Sequence, residues 1–283
     1  MDLGVHLPVM EFGEEGQSLA RLQDAADAAR ENGFAAVSAN DHFLFATPWL
    51  DCYAALAAVV DRTGDMAVAT TITLPVLRGP VATAKALAAL DVLSDGRVVA
   101  GLGPGSSNAD YDAVGIPFDE RWKRFDAAVT ELRELLGPES KLAPPPRQPG
   151  GIPLWIGSWG SEAGLRRVAR LADGWLASAY NTTPERFATA RAKLPDGFPS
   201  ALATMWTWIT ESRAEADRML TGLATRLRRE PEELREQVAV GSAEHCAELL
   251  SRYRDAGCGR VYFWPLGEEP RQIELIAGAA QRR

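Results

Sequence analysis

"MAVATTITLPVLRGPVATAKALAALDVLSDGRVVAGLGPG", residues 66–105, is the stretch that decides the fold. Its first nine residues, 66–74, are rich in β-branched side chains and read as a strand. Pro80 stands where a helix accepts proline, in the first turn, and Gly96 stands where a helix stops. Residues 97–103, "RVVAGLG", then form a second strand. Strand, helix and strand in this order make a βαβ unit with parallel strands. Two architectures are built from such units: the closed (β/α)8 barrel and the open doubly wound sheet. The end of the stretch bears on the choice. "GLGPG" (101–105) resembles a dinucleotide-binding loop, but Ser106 occupies the place of the third fingerprint glycine. A helix, rather than a strand ending in an acid, lies about 20 residues further on.

The same alternation runs outward in both directions. Upstream, "LGVHLP" (3–8) and "FAAVSAN" (34–40) read as strands. The helix between them, 17–32, places Leu19, Leu22, Ala25, Ala26 and Ala29 on one face, with Gly33 just past its end. A further helix covers 51–63. Downstream, 118–136 is the cleanest helix, with Phe125, Ala128, Val129, Leu132, Leu135 and Leu136 at helical spacing. "GPESKLAPPPRQPGG" (137–151) breaks the period, and Pro144–Pro146 should be extended and stiff. Strands follow at 153–157, 174–178, 201–209 and 260–264, separated by helices around Leu165 and Val168, from Pro184, and over 213–228 and 243–256. Because the alternation resumes after it, the Pro-rich segment reads as a long loop rather than a linker. The expectation is α/β: one (β/α)8 TIM barrel in a single domain, 1–283, with a loop at 137–151.

Composition narrows the function. The 283 residues are 46% hydrophobic and 24% charged, with a net charge of -8. An acidic chain has no electrostatic footprint for nucleic acid and no polybasic patch for a membrane surface. No apolar run is long enough to span a bilayer, and the N-terminus lacks a basic segment followed by an apolar one, so neither a membrane span nor a signal peptide is expected. Cys52, Cys246 and Cys258 are odd in number and widely spaced. They read as buried thiols of a cytoplasmic protein. With only three histidines and no CxxC spacing, no metal site is expected.

In a barrel, function sits at the C-terminal ends of the strands. Those ends carry Asn40-Asp41-His42, Thr73-Leu74-Pro75, Gly103-Pro104-Gly105-Ser106, Gly157-Ser158-Trp159-Gly160 and Ala179-Tyr180-Asn181. Glycines, hydroxyls, amides and indoles suit a planar aromatic ligand with a phosphate better than a metal ion. In "IGSWGSEAGLRRVARLADGW" (156–175), Gly157 and Gly160 permit a tight turn and Ser161 is a fitting N-cap. The free amides of the helix that follows would face the mouth and could bind a phosphate; an ordinary glycine-containing turn accounts for the same residues. In "SANDHFLF" (38–45), Asp41 and His42 place a carboxylate and an imidazole at the mouth of a strand, and an imidazole can exchange a proton near neutral pH.

"GVHLP", "NDHF", the block from "TTITLP" to "GLGPG", "GIPFDERWKRFD", "PLWIGSWGSEAGLRRVARLADGWLAS" and "VGSAEHCAELLSRYRDAGCGRVYFWP" stand in the order and spacing of the luciferase-like flavin or deazaflavin oxidoreductases. The chain resembles this family from Leu3 to about Pro265, and the family fold is a (β/α)8 barrel. The resemblance implies hydride transfer between the deazaflavin coenzyme F420 and a small organic substrate. An FMN-dependent monooxygenase is the alternative, and a non-catalytic flavin-binding barrel a third. It implies that Asp41 and His42 lie beside the coenzyme ring, with His42 in an acid–base role. It further implies a cis peptide at Thr71–Ile72 behind the ring, Leu74 near the ring, a wall of Gly103, Pro104 and Gly105, and a phosphate turn of Gly157, Ser158, Trp159 and Gly160. Dimers are common in the family, so a homodimer is a further expectation. Two positions depart from the sugar-phosphate dehydrogenases of the deazaflavin branch. Ser106 replaces a glutamate acid, and Ala46 replaces a tryptophan. Their substrate and proton donor therefore do not carry over. Arg78 is the nearest cation for a second phosphate. Trp49, Tyr111, Tyr180, Trp206 and Trp208 are candidates for the substrate side. His6 reads equally as a pocket residue or a buried structural one, His245 as a surface residue, and Trp122, Trp155 and Trp175 as core.

Overall fold

The computed structural model describes residues 1–13 and 16–282. Among the described residues nine strands form one parallel sheet: β1 (Asp2–His6), β2 (Ala36–Ala39), β3 (Ala67–Thr73), β4 (Val98–Leu102), β5 (Leu154–Gly157), β6 (Gly174–Ser178), β7 (Ser200–Ile209), β8 (Ala239–Gly241) and β9 (Arg260–Pro265). β1 to β7 pair in sequence order, β7 pairs with β9, and β9 pairs with β1, which closes an eight-stranded barrel. These are the eight strands expected, with ends shifted by up to two residues. β8 is additional. Its three residues extend the upper part of β7 through pairs such as Trp208 with Val240, and three residues are too few for a periodic signal.

Two aromatic side chains plug the barrel interior. Trp155 and Tyr262 pack with Ala36, Ala69, Leu176 and Ala201. Small residues opposite make the space. A Cβ on Gly174 would stand 2.3 Å from the Trp155 indole, and one on Gly4 would stand 2.6 Å from the Tyr262 ring. The larger core lies between barrel and helices, where Leu22, Ala25, Ala26 and Ala29 of the helix Leu19–Glu31 and Phe125, Val129 and Leu132 of the helix Arg121–Leu135 are buried. Each fully buried Leu or Phe contributes about 1.5–3 kcal/mol.

The Pro-rich segment joins the helix Arg121–Leu135 to β5, and the Ala143–Pro144 bond is cis. Asp91, fully buried on the helix Pro80–Leu93, accepts from the amides of Arg147 (2.7 Å) and Gln148 (3.1 Å) and from the Gln148 side chain (2.8 Å). One carboxylate thus ties the loop to the barrel wall. The three cysteines are free and buried. Among the described residues no helix is long and apolar enough to cross a membrane.

Candidate active site

A cavity of about 670 Å³ opens at the C-terminal ends of β2 to β7. Its walls are largely apolar, with Ile72, Leu74, Ile156 and Leu176 among them. The opposite quarter of the mouth is filled by aromatic rings. His6 stacks on Trp264 at 3.6 Å, and Trp264 stacks on Trp206 at 3.9 Å. His6 is a buried structural group: its Nδ1–H donates to the Leu7 carbonyl, and burial lowers its pKa to about 3.

His42 borders the cavity, and its ring is held from an unexpected quarter. A short helix, Asn108–Ala113, follows β4 and is capped by the Ser107 hydroxyl. Asp110 on that helix is 2% exposed, and its Oδ2 lies 2.9 Å from His42 Nδ1. Its Oδ1 accepts from the amides of Phe43 (3.2 Å) and Leu44 (2.7 Å). An ionised carboxylate only accepts, so Nδ1 carries the hydrogen and Nε2 is left for a ligand. The imidazole also packs edge-on against Trp49 at 4.6 Å.

Asp41 borders the same cavity but is committed elsewhere. Arg78, in the short helix Pro75–Arg78 after β3, binds it with two hydrogen bonds of 2.5 and 2.6 Å and also reaches Asp51. This corrects the expectation of Arg78 as a phosphate ligand, because two carboxylates already neutralise it. The Asp41 amide donates to the Ile72 carbonyl at 3.0 Å, and the Thr71–Ile72 bond is cis, at the place the resemblance implied. Among the described residues Thr71 Oγ1 and Asn40 Oδ1 are buried without a hydrogen-bond partner, and both residues line the cavity. Buried polar atoms are normally paired, so these two are exceptions at the cavity wall.

The turn after β5 is only partly open to an anion. The Ser158 amide donates to the Leu176 carbonyl at 3.0 Å, and the Gly160 amide faces Ser158 Oγ at 3.3 Å. Ser161 caps the helix Glu162–Leu171, its hydroxyl accepting from the Gly164 amide. The first-turn amides of Glu162 and Ala163 are those a helix leaves without internal partners. These two free amides lie a few residues beyond the stretch 157–160. Two cations flank them at the cavity. Arg167 pairs with Asp126 and stacks over Trp122 at 4.5 Å, while Arg121 stacks over Phe118 at 3.9 Å and, among the described residues, forms no ion pair.

Ten expected residues meet around the cavity: Asp41, His42, Thr71, Ile72, Leu74, Pro104, Gly105, Gly157, Ser158 and Trp159. Gly103 does not join them, because a Cβ there would sit 2.0 Å from Ile72 Cδ1 and the residue is covered. Gly160, with φ +87°, faces a neighbouring hollow lined by Asn181 and Lys193. Trp122, expected in the core, is 40% exposed and lines the cavity. Of the aromatic candidates, Tyr180 reaches the cavity. Tyr111, Trp206 and Trp208 are buried away from it, and Trp49 packs on His42 behind the wall. His245 is half-buried rather than on the surface, its Nε2 without a partner among the described residues. Asp110, Arg121 and Arg167 escaped the sequence reading. Ser107 three residues before Asp110 was an N-cap signal, but it marked a helix start and not what the acid would face.

Residues 1–224 match the family model described as luciferase-like monooxygenase. An uncharacterized protein of Mycobacterium tuberculosis is 34% identical over 149 residues, which are 48% of this chain and 50% of that protein. The chain spans about half the length of the first curated relatives it matches. An F420-dependent secondary alcohol dehydrogenase, solved with an F420-acetone adduct, superposes with a TM-score of 0.83 at 17% identity, covering 100% of this chain and 99% of that one. The oxygenating constituent of 3,6-diketocamphane monooxygenase from Pseudomonas putida, solved with FMN, superposes with a TM-score of 0.75 at 16% identity over 100% and 99%. At these identities the likeness is one of fold.

Proposed function

As this chain belongs to the luciferase-like monooxygenase family, we propose that it is an oxidoreductase that binds F420 in the cavity and exchanges a hydride with a small organic substrate. The observation that carries the reading is the His42–Asp110 pair at the cavity wall, 2.9 Å apart, with Asp110 buried. Moving a hydride to or from carbon requires a proton to move on the neighbouring heteroatom. A histidine held as the Nδ1–H tautomer removes that proton at Nε2, and the imidazolium so formed supplies it in the reverse direction.

The residues present suit the coenzyme. The apolar walls fit a planar ring system, and a cavity of this size is in the range of about 300–1,000 Å³ usual for small-molecule sites. Thr71, Ile72 and Leu74 would back the ring. The amides of Glu162 and Ala163, with Arg121 and Arg167, would hold the phosphate. When bound, F420 supplies a carbon centre that takes or gives hydride. His42 Nε2, which carries no hydrogen, would accept the proton from the substrate, Asp110 fixes the imidazole, and Phe45 and Trp49 pack around it. The three buried thiols suit the reducing cytoplasm.

The test is a titration of purified protein with F420 and with FMN, followed by a metabolite screen that reads the deazaflavin absorbance. Tighter binding of F420 and substrate-dependent loss of its absorbance support the proposal. Preferential binding of FMN with oxygen-dependent product formation would replace it with the monooxygenase reading. Binding without turnover of any metabolite would leave a flavin-binding barrel.

A further inference from the structure

Arg78 holds both ends of the segment that carries His42. Its guanidinium makes two hydrogen bonds to Asp41, the residue before His42, and a third to Asp51, where the segment ends and the helix Cys52–Ala57 begins. It also lies over the rings of Phe43, at 5.1 Å, and Tyr53, at 4.9 Å. Tyr53 and Thr73 continue the network: their hydroxyls are 2.8 Å apart, and the Thr73 hydroxyl donates to Asp41 at 3.2 Å. Asp110 grips the same segment from the other side, through the His42 ring and the Phe43 and Leu44 amides. The residues between the clamps are otherwise weakly anchored. Leu44 is 57% exposed and Phe45 48% exposed, so little apolar burial fixes their position.

We propose that Arg78 is the positioning residue for His42, its planar fork setting the height of the 41–51 segment so that Nδ1 meets Asp110. The inference rests on the reading of His42 as the proton-handling group, but the geometry it concerns is independent of any substrate. Only an arginine can serve Asp41 bidentately and Asp51 together, because a lysine offers a single point of charge. If the segment rises or tilts, the Nδ1–H···Asp110 bond lengthens, and the ring reverts to the Nε2–H tautomer that free imidazole favours. The proton then sits on the atom that faces the ligand.

The test reads the ring directly. The full chain, labelled with nitrogen-15, contains three histidines, so long-range proton–nitrogen correlations resolve each imidazole. Wild type should show His42 as the Nδ1–H tautomer. Arg78→Lys should move it towards Nε2–H, while His6, held by the Leu7 carbonyl, stays unchanged as the internal reference. Should Arg78→Lys not fold, Asp51→Asn serves in its place. It retains an oxygen to cap the amides of Tyr53 and Ala54 and weakens only the contact to Arg78. With F420 and a substrate in hand, Arg78→Lys should lower kcat by up to about 100-fold, the cost of misplacing a reacting group by about 1 Å, with little change in coenzyme affinity. A lower melting temperature with the His42 tautomer unmoved in both variants would overturn the proposal and leave Arg78 a structural staple. A shifted tautomer in a protein that turns over no substrate would uphold the positioning and count against the catalytic reading.

Discussion

His42 Nδ1 and Asp110 Oδ2 lie 2.9 Å apart although 68 positions separate the residues. The pair suggests a sharp substitution. Asp110→Asn keeps one oxygen to accept from the Phe43 and Leu44 amides but presents an amide hydrogen to Nδ1. That forces the hydrogen onto Nε2 and removes the base. Turnover should fall by about 10²–10⁴, as it should for His42→Ala and His42→Asn, while coenzyme affinity stays near wild type. Steady-state kinetics beside a coenzyme titration separates the two effects. Full activity in Asp110→Asn would remove the pair from the mechanism.

The phosphate end is best probed at Gly164. A Cβ there would stand 2.2 Å from Ser158 Oγ and 3.1 Å from Ser161 Oγ, so both hydroxyls must shift and the cap loosens. Gly164→Ala should weaken coenzyme binding about tenfold, near the worth of one charge-assisted hydrogen bond. Gly222→Ala, on an exposed helix face with nothing within 4 Å, is the control and should leave binding unchanged. Equal affinities for the two variants would place the phosphate elsewhere.

His6 makes a prediction about pH. Its pKa is about 3 in the folded chain, lowered by burial from an ordinary 6.5, so the unfolded state binds the extra proton. The stability conferred by keeping this ring neutral is fully present above pH 6.5 and is lost as pH falls towards 3. The slope reaches about 1.4 kcal/mol per pH unit for one proton. Urea denaturation between pH 7 and 5 should show this loss, and His6→Phe should flatten it. An equally steep decline in His6→Phe would assign the dependence to the carboxylates.

Barrel packing gives the last prediction. Gly174→Ala drives a methyl group into the Trp155 indole and should cost about 1–3 kcal/mol. Adding Trp155→Leu should recover part of that loss, because it vacates the same space. A double variant whose loss of stability in urea equals the sum of the single losses would show that the two sites do not touch.

The strand and helix series was legible because its signals are local. Pro80 and Gly96 punctuate one helix, Ser161 caps another, and the apolar face of 118–136 repeats at helical spacing. Placing "NDHF" and "GSWG" at one end of the barrel needed only the strand order. Other features had no local signal. Trp122 and Trp175 look alike in sequence, yet one is 40% exposed at the cavity and the other 1% exposed. Which side of a helix meets a neighbour depends on how the neighbours cross. β8 passed unread because three residues carry no period.

The amino-acid order by itself determined the parallel alternation, the helix caps and the residues at the strand ends, since each depends on interactions among residues near in the chain. Only the tertiary structure decided the partners of Asp41 and His42. Asp41 meets Arg78 and His42 meets Asp110 because closing the barrel lays the loops after β2, β3 and β4 side by side. A carboxylate pairs with whichever cation or N–H donor the fold brings within about 3 Å, and sequence separation does not measure that distance.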